Sequence, residues 1–155
     1  MVKEIMTRKS VDNIYLHKDF HGALNMGIQY IHQHYGEKAV RDFLRQFALS
    51  FHAPMKNEIN QQGLIVLKEY FEKIYRLENG KIKLTCSENE LLLEVEACPA
   101  VQHMRQHGSI VSSLFVETTK TVNEAICEGT PFSAELVSYD RKTGRSVQRF
   151  YRRKL

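Results

Sequence analysis

Cys98-Pro99 is the dipeptide in this sequence best placed to do chemistry. Pro99 suits the first position of a helix, where its missing N–H is no loss, and that puts Cys98 at the N-cap. Unpaired N–H groups and the positive end of the helix dipole would then favour thiolate over thiol, and could hold an anionic group. A small buried residue closing a strand is the plainer account of the same cysteine. A second concentration of titratable side chains is His17-Lys18-Asp19-Phe20-His21, at a helix start. Four ionisable groups in five positions could supply a general base and a charged clamp. Capping alone explains Asp19 but leaves His17 and His21 without a reason. His103 and His107 sit four apart, which stacks two imidazoles on one helix face. No HExxH pattern surrounds them, so no metal is expected. His32, His34 and His52 fall near helix ends, where polar or cationic side chains complement the dipole.

Several chemistries are missing from the pattern. Ser109, Ser112 and Ser113 lie outside any GxSxG elbow. There is no GxxxxGK[ST] or GxGxxG loop, so no nucleotide cofactor is expected. Cys86, Cys98 and Cys127 are an odd number without CxxC spacing, which fits free thiols in a reducing compartment.

These residues need elements to position them. From Asp19, the spacing of Phe20, Ala23, Leu24, Ile28, Ile31 and Tyr35 predicts a helix ended by Gly36. Gly22 and Gly27 inside it each cost about 1 kcal/mol relative to Ala, a loss that close approach of another backbone or a ligand would justify. Val40, Phe43, Leu44, Phe47 and Phe51 predict a second helix, and Met55 to Leu77 a third, stopped by Asn79-Gly80. The period then changes from 3.6 to 2. Strands are expected at 82–86 and 91–97, joined by Ser87-Glu88-Asn89. A short helix from Ala100 to His107 and a longer one from Ser113 to Cys127 follow. A closing hairpin runs from Phe132 to Tyr139, turns through 140–144, and returns from Arg145 to Arg152. Three helices, a hairpin, two helices and a second hairpin argue for α+β with an antiparallel sheet covered on one face. With 155 residues and no Pro/Gly/Ser-rich linker, one domain is expected.

Charge is unevenly placed within a net +4. Arg141, Lys142, Arg145, Arg149, Arg152, Arg153 and Lys154 crowd the last fifteen residues, with no acid among them. No aromatic-interleaved RNA-reading motif accompanies them, so nucleic acid is not the expected partner; basic residues also blunt an edge strand. The apolar runs are too short to span a bilayer, and Met1 to Ser10 offers no signal-peptide core, so the expected location is cytoplasmic.

Cys98-Pro99 at a strand end, the short helix to Gly108, Gly129-Thr130-Pro131-Phe132 and the closing Gly144 to Phe150 resemble the L-2-aminothiazoline-4-carboxylate hydrolase-like family. More distantly the layout is similar to the vinyl-reductase-type ligand-binding domain. The likeness covers about Leu91 to Arg152. It implies hydrolysis of a C–N bond in a small cyclic substrate, with Cys98-Pro99 on the family's Cys-Pro and Arg149-Phe150 on its Arg-aromatic pair. The family's last strand bears Cys and Asp just before that pair. Here those positions read Ser146 and Val147, or Val147 and Gln148 in the neighbouring register.

The functional expectation is an enzyme with a pocket between the sheet and the first helix, taking a small anionic substrate. Cys98 acts as nucleophile or anion site, His21 as general base and Asp19 as its orienting group. Lys18, His103 and Arg149 are the expected substrate-binding residues, Arg149 pairing bidentately with a carboxylate. The alternative is a non-catalytic small-molecule-binding or sensory domain, which needs only a pocket with a few polar anchors. A homodimer through the aromatic-rich second and third helices is a further expectation.

Overall fold

The computed structural model describes residues 19–154 and shows an α+β arrangement of five helices and one four-stranded antiparallel sheet. The first helix, α1 (Asp19–Phe51), merges the two expected helices end to end across a kink at Gly36, whose φ of 84° and ψ of 177° are non-helical. The expected third helix is divided instead. Gly63, at φ 80°, ends α2 (Ala53–Gln62), and α3 (Ile65–Leu77) follows it directly.

α3 is strongly amphipathic and turns Val66, Leu67 and Phe71 inward. β1 (Ile82–Cys86) and β2 (Glu90–Val95) form the first hairpin, and β3 (Phe132–Tyr139) and β4 (Ser146–Arg152) the second. β2 pairs with β4, which gives the order β1-β2-β4-β3 and leaves β1 and β3 as edges. Between the hairpins lie α4 (Pro99–Gln106) and α5 (Glu117–Cys127).

Strand alternation decides which side chains face the helices. Leu91, Leu93, Val95, Ser146, Gln148 and Phe150 are buried against the helical layer, while Leu92, Arg149 and Tyr151 lie on the other face. The sheet-side core joins these strands to Ile59, Leu67, Phe71, Ile126 and Phe132. A second cluster, Ile28, Val40, Leu44, Val101, Met104 and Phe115, locks α1 onto α4 and the segment before α5. Full burial of such side chains contributes roughly 1.5–3 kcal/mol each. Among the described residues no helix is long and apolar enough to cross a membrane.

Candidate functional site

Two turns converge on Cys98-Pro99. Cys98 caps α4 with extended backbone, φ −73° and ψ 120°, as Pro99 at the first helical position requires. Its N–H donates to the Thr143 carbonyl in the β3–β4 turn, at 2.9 Å. Gly144, at φ 69°, completes that turn against the cysteine; a Cβ there would overlap the Cys98 Cβ and approach Val101 Cγ2 to 3.1 Å. From the other side comes the turn after α3. A Cβ on Gly80 would meet Tyr75 at 2.6 Å and the Pro99 ring at 2.9 Å, so only glycine lets this turn press onto the start of α4.

That second turn carries the most informative side chain. Glu78, 9% exposed, caps the C-terminus of α3, the negative end of the helix dipole. Burial and dipole both oppose a carboxylate there, so it needs compensating partners. One is His21, whose Nε2 lies 2.7 Å from Glu78 Oε1. His21 stands in the first turn of α1, 57 residues away in sequence. Glu78 is also within electrostatic range of Cys98, Tyr75 and Tyr70. Cys, His and Glu are thus gathered around one carboxylate.

The electrostatics of the thiol differ from the simple helix-start expectation. The N–H groups of Val101 and Ala100 do lower its pKa, as a helix N-terminus should. Burial, with a smaller push from Glu78, outweighs them and leaves the Cys98 thiol above its ordinary value. The sulfur is therefore protonated at neutral pH. Two phenols close the cluster. Burial, then the charge of Cys98, pushes Tyr139 up to about 12, and burial with the same neighbour drives Tyr75 up further. Behind Tyr75 runs a buried polar chain: Gln148 meets its phenol, accepts from Asn123 Nδ2 at 2.8 Å and donates to Ser146 Oγ at 3.0 Å.

The remaining expected site residues are distributed differently. Asp19 does not orient His21; its carboxylate lies 3.6 Å from His103 Nε2, and Glu78 takes the place expected for it. His103 stacks on His107 with ring centroids 4.2 Å apart. Among the described residues no three His, Cys, Asp or Glu side chains gather as a metal-holding group. Arg149 points to the outer face of the sheet, because alternation along β4 puts it opposite Gln148 and Phe150. There it bonds Glu90 at 2.6 Å, approaches Glu135 at 3.6 Å and covers the Tyr151 ring. It is separated from Cys98 by the sheet itself. Lys18 and His17 lie outside the described residues. His52, expected as a polar or cationic group at a helix end, is buried edge-on to Phe51 and Tyr70, and burial lowers its pKa.

Glu78, Tyr75 and Tyr139 were not singled out from the sequence. Glu78 had one readable signal, an acid where the dipole of a helix end favours a base. Arg105 and Arg141 both act on Tyr139, and Arg105 donates to the Arg141 carbonyl at 3.0 Å.

Two open clefts mark the surface. One, about 630 Å³, runs between α1 and residues 109–113. The other, about 940 Å³, lies between the α2–α3 junction, the β1–β2 turn and Phe132. Neither is lined by Cys98, His21 or Glu78. Charge and hydrogen bonding converge on the enclosed cluster rather than on these larger hollows. No family model, curated protein or solved structure matches this chain.

Proposed function

We propose that this chain is a cysteine-dependent hydrolase that opens a C–N bond of a small anionic substrate, the chemistry implied by its resemblance to the L-2-aminothiazoline-4-carboxylate hydrolase-like family. The 2.7 Å contact between His21 and Glu78, on the turn that presses against Cys98-Pro99, carries this reading. Glu78, 2.7 Å from Nε2, fixes the ring and balances the charge it gains when it takes a proton.

A protonated, desolvated thiol requires the base to act during attack rather than before it. The S–H proton passes to His21 as sulfur bonds to the electrophilic carbon. The electron pair of the C–N bond then leaves with the amine, which takes the proton from His21. Water cleaves the S–C bond and restores the thiol. The N–H groups of Ala100 and Val101 stabilise the charge developing on sulfur, and Tyr75 and Tyr139 stay protonated as donors to the leaving group or an oxyanion. Arg105 and Arg141 take the role first expected of Arg149, drawing the anionic part of the substrate to the Tyr139 side. Ser146 and Val147, or Val147 and Gln148, stand where the resembling family has Cys and Asp; Ser146 and Gln148 support Tyr75 instead of supplying a nucleophile.

The test is amine release from small thiazoline and amidine carboxylates. Cys98→Ala and His21→Gln should each abolish it with unchanged far-UV circular dichroism. Full turnover by Cys98→Ala ends the proposal.

A second reading, a non-catalytic small-molecule-binding domain, is favoured by the two open clefts that lie away from the thiol. Alkylation separates the two. Iodoacetamide labelling of Cys98 that is slow in the parent but slowed further, at least tenfold, in His21→Gln supports the enzyme, and labelling that His21→Gln leaves unchanged supports the binder.

A further inference from the structure

The basic residues that crowd the end of the chain are neutralised unequally by the fold. Arg149 is held by Glu90 and Glu135 on the outer face of the sheet, and Arg141 donates to the Ser113 carbonyl at 2.8 Å. Arg152, which ends β4, forms no ion pair among the described residues. It is nevertheless held in place. Its guanidinium lies 4.7 Å over the ring of Phe132, its cross-strand partner, and its Nε donates to Asn89 Oδ1 at 3.0 Å. Asn89 is fixed in turn, because its carbonyl accepts the Arg152 N–H at 2.8 Å. Stacking and the Nε bond set the plane of the guanidinium and leave both Nη groups without a bond to a described residue.

Arg152 and Phe132 both line the cleft of about 940 Å³, a size suited to a small molecule. The α2–α3 junction supplies an apolar wall: Leu64 is buried there, and Ile65 remains 41% exposed at the start of α3. Lys68, one turn further along α3, also lines the cleft but is already paired with Glu72 at 3.6 Å. Glu88, on the β1–β2 turn, is the one acid among the described lining residues. Cys86 adds a half-buried thiol within reach of the Lys68 charge.

We propose that this cleft is a binding site for a small monocarboxylate with a planar apolar body, whose carboxylate is taken by the two Nη groups of Arg152. A guanidinium fork matches a carboxylate with two parallel bonds, and one already fixed by stacking loses little freedom when the ligand arrives. The body of the ligand rests against Leu64 and Ile65. Charge selects a monoanion. Arg152 balances one negative charge, whereas the second charge of a phosphate would enter a cleft that already holds Glu88, with Lys68 neutralised by Glu72. Nucleic acid would need a row of phosphate contacts, and a single unpaired fork does not provide one. The site shares no residue with the Cys98 cluster and goes beyond both readings above, since it holds whether that thiol is catalytic or inert.

Titration of benzoate into the full chain labelled with nitrogen-15 tests this, with benzamide as the neutral counterpart and phenyl phosphate as the dianion. The expected result is amide shifts centred on residues 61–68, 84–89 and 152, saturating at about 1–10 mM, the affinity class of so small a ligand. Benzamide and phenyl phosphate should bind roughly tenfold more weakly or worse, a comparison that needs no variant. Arg152→Gln should weaken benzoate about tenfold, and Arg152→Lys, which keeps the charge without the fork, should lose most of that. Iodoacetamide labelling of Cys86 at about pH 9 should slow when benzoate is bound. Cys98→Ala should bind benzoate as the parent does, which separates this site from the thiol chemistry. Benzamide or phenyl phosphate binding as tightly as benzoate overturns the proposal, as does unchanged binding by Arg152→Gln. Shifts centred on residues 98–105 and 139–144 also overturn it, and place the anion at the thiol cluster instead.

Discussion

Gly144→Ala probes the packing that holds Cys98 in place. The new methyl group acts in two separable ways. At φ 69° a non-glycine residue costs roughly 1–2 kcal/mol, offset by about 0.4–1 kcal/mol because alanine restricts the unfolded chain. The methyl must also displace the Cys98 Cβ and press on Val101, which are held by the Cys98–Thr143 backbone bond and the second apolar cluster. Forced repacking of that kind adds about 1–3 kcal/mol. The sum, about 1–5 kcal/mol, corresponds to a fall in melting temperature of roughly 2–20 °C for a chain of this size. Gly108→Ala is the matched control, with φ 73° and nothing within 4 Å of the added carbon; it should cost about 1 kcal/mol or less. Urea and thermal denaturation followed by circular dichroism measure both. Equal losses in the two variants would show that the turn does not press on Cys98, and the convergence argued for the site would fail.

The orienting role can be assigned by comparing two carboxylates. Glu78→Gln should lower the rate of Cys98 alkylation and any turnover at least tenfold, whereas Asp19→Asn should leave both near the parent value; the reverse order would return the role to Asp19. Alkaline stability offers a second check. Burial pushes the Cys127 thiol up to about 12, so the folded chain holds that proton while the unfolded chain releases it near pH 9. This contribution is complete below pH 9 and is lost between pH 9 and about 12, at up to about 1.4 kcal/mol per pH unit. Urea midpoints from pH 8 to 11 should therefore fall less steeply in Cys127→Ala, and identical slopes would refute the assignment.

Local periodicity was sufficient to read most of the fold. The change from a 3.6 to a 2 repeat after Gly80 located the first hairpin, the turn at 140–144 the second, and Pro99 placed Cys98 at a helix start, where the structure has it. Helix breaks were less legible, because a glycine can kink a helix, end it or sit silently within it. Gly36 bends α1, Gly63 separates α2 from α3, and Gly22 and Gly27 interrupt nothing.

The sequence by itself determined the element types, the α+β class and the presence of His21 and Cys98 at helix starts. These follow from side-chain spacing and backbone preference within a few residues. Only the tertiary structure decided that Glu78 faces His21, that Arg149 is cut off by the sheet and that burial raises the Cys98 thiol. Each depends on which distant segments pack together and how much water they exclude, and neither quantity is carried by local spacing.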